Sequence, residues 1–158
     1  MDTPSLDLIA AVLGLGESSR LFVELREKRA LTYDFESVNV SGLDYGYFFI
    51  NCAIKDRAIN QAQSIILGEL QKLKTHPVTK SELDKSKKLA LGSIFRQIDS
   101  SQALPRLLAY EEIHFESENA LADYTDKISS VSQQGITETA NKYFQDKNYA
   151  TAILTPKK

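Results

Sequence analysis

Tryptophan is absent from this chain of 158 residues, cysteine and methionine occur once each, and histidine occurs twice. A lone cysteine, Cys52, cannot close an intrachain disulfide, and its place in an apolar run reads as a small packed hydrophobe. The shortage of histidine bears on metal chemistry. Zinc hydrolysis needs two neutral imidazoles on one helical face with a carboxylate beside them, as in H-x-x-E-H. His76 precedes a proline, and His114 is followed by Phe115, Glu116, Ser117 and Glu118, so neither opens a ligand pair. The acids Glu111, Glu112, Glu116 and Glu118 around His114 read as a solvated helix face. No metal ligand, cofactor or catalytic residue is therefore expected in this chain alone.

Neither sign of charge dominates. Nineteen Lys plus Arg against twenty-one Asp plus Glu leave a formal charge of -2, without the basic stripe that counterion release on nucleic acid needs. No stretch approaches the roughly 18 consecutive apolar residues of a membrane span. The start, MDTPSLDLIAAVLG, lacks the cationic segment of a secretory signal. The expectation is a cytosolic protein or an excised piece of something longer, with bacterial cytoplasm and periplasm both open as its compartment. Linkers, repeats and low-complexity tracts are also missing, which points to one domain over residues 1–158. With 42% hydrophobic and 25% charged residues, a chain of this length can bury about 68–70% of its unfolded surface without a disulfide or structural metal.

The apolar periodicity then divides the chain. Thr3-Pro4 followed by Leu6, Ile9, Ala10 and Leu13 predicts a short helix with proline in its first turn, stopped by Gly14 and Gly16. A second helix follows, with Ser18 or Ser19 as its cap, Leu21, Phe22 and Leu25 on its apolar face, and Lys28 and Arg29 at its end. From Thr32 the period becomes two. Thr32 to Val40 alternates and Tyr45 to Ile54 is apolar on both faces, predicting a hairpin whose second strand is central and buried. Asp56 opens a helix to about Lys74 that His76-Pro77 ends. Thr79 and Glu82 have capping-box spacing, with Val78 and Leu83 as a hydrophobic staple, so a helix runs from there to about Ile98. Further helical patterns cover about Leu104 to Phe115, Asn119 to Ile128 and Gln133 to Phe144, the last capped by Ser132, and Tyr149 to Thr155 reads as a third strand. The result is an α+β fold, a mixed or antiparallel sheet covered by helices. Three strands can barely cover a central apolar one, so at least one partner strand is expected outside this chain.

Most local chemistry fails on inspection. Gly14-Leu15-Gly16-Glu17-Ser18-Ser19 follows a helix instead of a strand and lacks a third glycine, so it is a turn and no dinucleotide loop. One pair remains: Arg26 near the end of the second helix and Tyr33 at the start of the first strand, joined by a sharp reversal. Their guanidinium and phenol are donors that could hold a peptide carbonyl or its oxyanion. A helix-end Arg, however, usually pairs with a nearby Glu and a strand Tyr usually packs, so from the residues alone pairing and packing are the better reading of the two.

The stretch from Leu13 to Tyr33, LGLGESSRLFVELREKRALTY, resembles the C-terminal half of the insulinase-type (M16) zinc peptidases, which include the mitochondrial processing peptidases. Their pattern is approximately L-G-G-G-x-S-S-R-L-F-x-x-x-R-E-x-x-G-L-x-Y. Leu15 and Ala30 depart from it, and Ala30 would be strained if its position needs positive φ. The order of elements also resembles the family over essentially the whole chain. The resemblance implies a half-domain truncated at its N-terminal strands, unable to bind zinc, with Arg26 and Tyr33 contacting substrate backbone. It further implies zinc on an N-terminal domain or subunit of the same family, and a peptide lying extended along a sheet edge. The rival is a non-catalytic partner subunit or scaffold of the same fold. A third reading is a fragment that self-associates through an unpaired sheet edge.

Overall fold

Six consecutive apolar residues, Leu8 to Leu13, leave no polar face to turn toward water, so the helix that carries them has to be enclosed. In the computed structural model, which describes residues 2–42, 44–98 and 120–155 and the single positions Pro105 and Ala109, this helix is α1 (Thr3–Gly14). After it come a π-helical turn (Phe22–Glu27), the strands β1 (Asp34–Ser41) and β2 (Gly46–Ala53), and a 3-10 turn (Asp56–Ala58). The helices α2 (Ile59–Thr75), α3 (Lys80–Ile98), α4 (Ala120–Ser130) and α5 (Gln133–Tyr143) complete the described order. Of the helical pattern read over 104–115 only Pro105 and Ala109 are described, both helical, and His114 with its acids lies outside the described residues.

β1 and β2 form an antiparallel pair with Phe35 opposite Cys52, Ser37 opposite Ile50 and Asn39 opposite Phe48. Those residues share one face by the two-residue period of a strand. Against that face packs α1, which also contacts α3, α4 and α5. Gly14 is required at the closest approach, since a Cβ there would stand 2.8 Å from the Cβ of Ser37. Leu8, Ile9 and Leu13 of α1 join Leu21, Leu25, Leu73, Val78, Ile128 and Ile136 in one buried core. Phe48 closes its edge, edge-on to Phe144 with ring centroids 5.1 Å apart.

Both predicted caps after α2 form. The Thr79 hydroxyl accepts from the Glu82 amide at 3.2 Å, and a Glu82 carboxylate oxygen accepts from the Thr79 amide at 3.3 Å. The staple residues Val78 and Leu83 are buried. At α5 the Ser132 hydroxyl accepts from the Gly135 amide at 3.0 Å.

Four expectations are corrected. The second helix is largely π-helical, with the Lys28 amide bonded to the Val23 carbonyl five residues back. Neither Ser18 nor Ser19 caps it: the Ser18 hydroxyl is taken by Lys85 and the buried Ser19 hydroxyl has no partner among the described residues. Tyr149 to Thr155 forms no strand, since it finds no strand partner among the described residues, and it lies exposed, tied by Gln63 to the Thr151 hydroxyl at 3.2 Å. β2 is not a buried central strand either. Its far edge is unpaired among the described residues, Tyr47 is 55% exposed, and a cleft of about 1420 Å³ separates β2 and α2 from the segment 148–154.

Candidate functional site

The reversal between the π-helical turn and β1 is built by backbone bonds. The Ala30 amide reaches the Arg26 carbonyl at 3.0 Å and the Leu31 amide reaches the Leu25 carbonyl at 2.8 Å, six residues back. That wide closure, one residue longer than the Schellman pattern, accommodates the extra residue of a π turn. It also sends Ala30 to φ 49°, the left-handed region where glycine is at ease and alanine is strained. Buried Thr32 then locks the chain into the sheet. Its hydroxyl lies 2.6 Å from the Ala53 carbonyl and accepts from the Asp34 amide at 3.1 Å.

Tyr33 therefore leaves the fold from a rigid root, and its side chain is 76% exposed. Arg26 comes from the turn to meet it. The guanidinium carbon lies 5.4 Å from the Tyr33 ring centroid and 4.8 Å from that of Phe22, inside cation–π range of both. The two residues singled out in the sequence are thus brought together at one exposed point.

The pairing of Arg26 with a nearby Glu does not form among the described residues. Glu24, two positions before Arg26, is held by Lys28 at 2.6 Å and by Arg29. Those hydrogen bonds, Lys28 first, keep the Glu24 carboxyl below its ordinary range. Arg26 is consequently an exposed cation with no hydrogen-bond acceptor among the described residues, resting on aromatic faces. Held by rings instead of a carboxylate, its N–H fork stays available for a carbonyl or carboxylate.

Two further residues escaped the sequence reading. Phe22 sits four positions before Arg26, a helical spacing that does signal a shared face. Arg20 has a structural role in the same segment. It grips Glu82 with two bonds of 2.6 and 3.0 Å and approaches buried Glu69 at 4.0 Å, clamping the turn to α2 and α3. Nothing in the local pattern announces this, because its partners lie far along the chain.

The motif on this turn, with the fold around it, agrees with what is known of one family. Residues 2–90 match the family described as "Peptidase M16 inactive domain". The chain belongs to this family. It is 30% identical over 159 residues to the "Zinc protease PqqE" of Helicobacter pylori, covering 98% of this chain and 35% of that protein. Among solved structures, a protease from Helicobacter pylori superposes with a TM-score of 0.75 at 29% identity, over 93% of this chain and 36% of that one. A peptidase M16 inactive domain from Pseudomonas fluorescens gives a TM-score of 0.78 at 23% identity, over 89% of this chain and 34% of that one. This M16 chain thus spans about a third of the length of these relatives.

Zinc does not fit the described part of this M16 domain. Among the described residues no three His, Cys, Asp or Glu side chains gather as a ligand set. His76 is exposed at the end of α2, with its Nδ1 2.8 Å from the Thr75 hydroxyl. Cys52 is half-buried, and burial pushes its thiol pKa up, away from the thiolate a metal needs. No described helix is long and apolar enough to cross a membrane.

Proposed function

We propose that this chain is the substrate-positioning, non-zinc-binding domain of a zinc-dependent metalloendopeptidase acting on peptides or unfolded proteins. In this reading residues 1–158 work as one domain and the zinc is held by an N-terminal domain or subunit of the same family, where it supplies the activated water. One observation carries the proposal: Arg26 and Tyr33 converge on one exposed point, with no acceptor for the guanidinium among the described residues. A planar fork beside a phenol hydroxyl suits the carbonyls of an extended peptide, whose backbone is the same whatever its sequence. Holding such a carbonyl in place orients the scissile bond, and donors aimed at its oxygen support charge that develops there.

In the intact peptidase, Arg26→Ala and Tyr33→Phe are each expected to lower kcat/KM by on the order of 10- to 1,000-fold through loss of one such donor. Steady-state kinetics on an unstructured peptide measure this. Unchanged kinetics in both variants overturn the proposal and favour the rival, a partner subunit or scaffold of the same fold that binds peptides or mediates assembly.

A further inference from the structure

An arginine that must present its fork to a substrate faces a difficulty of its own making. The side chain is long and flexible, and the usual way to hold it, a carboxylate partner, occupies the same N–H edges the substrate needs. Glu24, two positions before Arg26, is turned to Lys28 and Arg29 instead, and Arg26 has no ion pair among the described residues. What touches the guanidinium among the described residues is aromatic, and the two rings differ in how they are anchored. Tyr33 is 76% exposed. Phe22 is half-buried, with its ring centroid 6.4 Å from that of Phe35, and Phe35 packs against the hydrophobic core.

We propose that Phe22 is the positioning residue for Arg26: a ring fixed to the core through Phe35 holds the guanidinium by its face, at 4.8 Å, and leaves the N–H fork directed at substrate acceptors. The inference deepens the reading of Arg26 as a substrate contact and rests on it. The π-helical turn takes part, because Phe22 opens that turn and Arg26 lies within it, so one short element sets both ends of the contact. The ligand this arrangement selects is a planar oxygen acceptor in the plane of the fork, a peptide carbonyl or a carboxylate.

The test uses the intact peptidase with Phe22→Leu, Phe22→Tyr, Arg26→Ala and the double variant of Phe22→Leu with Arg26→Ala. Phe22→Leu removes the ring while keeping apolar volume, and should lower kcat/KM by about 3- to 30-fold, the range of one cation–π contact. Phe22→Tyr should restore it. In the Arg26→Ala background Phe22→Leu should cause no further loss, because the residue it positions is gone. An NMR readout accompanies the kinetics: with 15N-labelled arginine, the Arg26 Nε–H resonance should carry a ring-current shift that Phe22→Leu reduces and Phe22→Tyr keeps. An equal loss with and without Arg26, or a resonance indifferent to Phe22→Leu, overturns the inference. If Arg26→Ala itself leaves the kinetics unchanged, the substrate-binding reading falls, and the resonance still decides whether Phe22 holds Arg26.

Discussion

Ala30 is the residue whose chemistry fits its backbone least. At φ 49° its methyl group meets the left-handed penalty, roughly 1–2 kcal/mol, while glycine there would give back about 0.5–1 kcal/mol through its freer unfolded chain. Ala30→Gly is therefore expected to stabilise the fold by about 0.5–1 kcal/mol, read as a higher denaturation midpoint. A lower midpoint would show that the reversal does not impose this conformation. Acid sensitivity also has residue-level origins of opposite sign. Burial is the strongest single influence on Glu82 and opposes its ionisation, yet the Arg20 bonds and charge, with the Thr79 amide and Lys85, together outweigh it and bring its pKa below the ordinary 4.5. Its stabilising contribution is complete above pH 4.5 and disappears as pH falls through the lower folded value. Asp7 runs the other way. Burial raises its carboxyl pKa despite hydrogen bonds from Tyr124 and Asn39, so protonation as the pH falls relieves a cost. Glu82→Gln should thus flatten the loss of stability below pH 4.5, whereas Asp7→Asn should steepen it. Parallel pH–stability curves for wild type and both variants would contradict these assignments.

At the scale of elements, two helices, α3 and α5, start where side chains satisfy free amides, while α1 and α2 start without a side-chain cap. Thr79 and Glu82 do so reciprocally at α3, and Ser132 does so at α5. Thr79→Ala should cost about 1 kcal/mol, measured by chemical denaturation, and Thr79→Ser should recover most of it; a neutral Thr79→Ala would mean that the staple of Val78 and Leu83 alone sets the helix start. The packing of α1 on β1 depends instead on an absence. A Cβ at Gly14 would stand 2.8 Å from the Ser37 Cβ and 3.1 Å from its backbone amide, so helix and strand would have to separate. Gly14→Ala is expected to destabilise by about 1–3 kcal/mol, the usual cost of overpacking. An unchanged melting temperature would show that the contact yields.

For the molecule as a whole, the two strands among the described residues make a small sheet, and a two-stranded ribbon has no independent stability without a packed face. The core face is supplied by α1. The other face of the hairpin carries Val38, Val40, Tyr47 and Phe49, and β2 presents an unpaired edge among the described residues beside the 1420 Å³ cleft. An apolar, unpaired edge invites pairing with another chain. Light scattering on this chain by itself is expected to show association that rises with concentration, and Phe49→Lys is expected to suppress it. A monomer at high concentration would mean that the edge is covered.

The described helices and the hairpin were legible because each is written in local pattern, whereas the Arg26–Tyr33 pair could be named from the reversal but drew its role from the family resemblance. Helical and two-residue periods, capping spacing and a reversal seven residues long need no distant partner to be recognised. Ala30 was legible as a point of strain only through the resemblance, because the family pattern has glycine at its position. Other features depended on residues remote in the chain. The clamp of Arg20 on Glu82 spans 62 positions, and the Gly14–Ser37 contact exists only once α1 lies on β1. The π-helical closure and the Phe22 contact turn on which backbone carbonyls and rings come within reach after the turn has packed. Tyr149 to Thr155 marks the limit of pattern: alternation can equip a segment for a strand, but a strand forms only when another backbone is beside it to accept its hydrogen bonds.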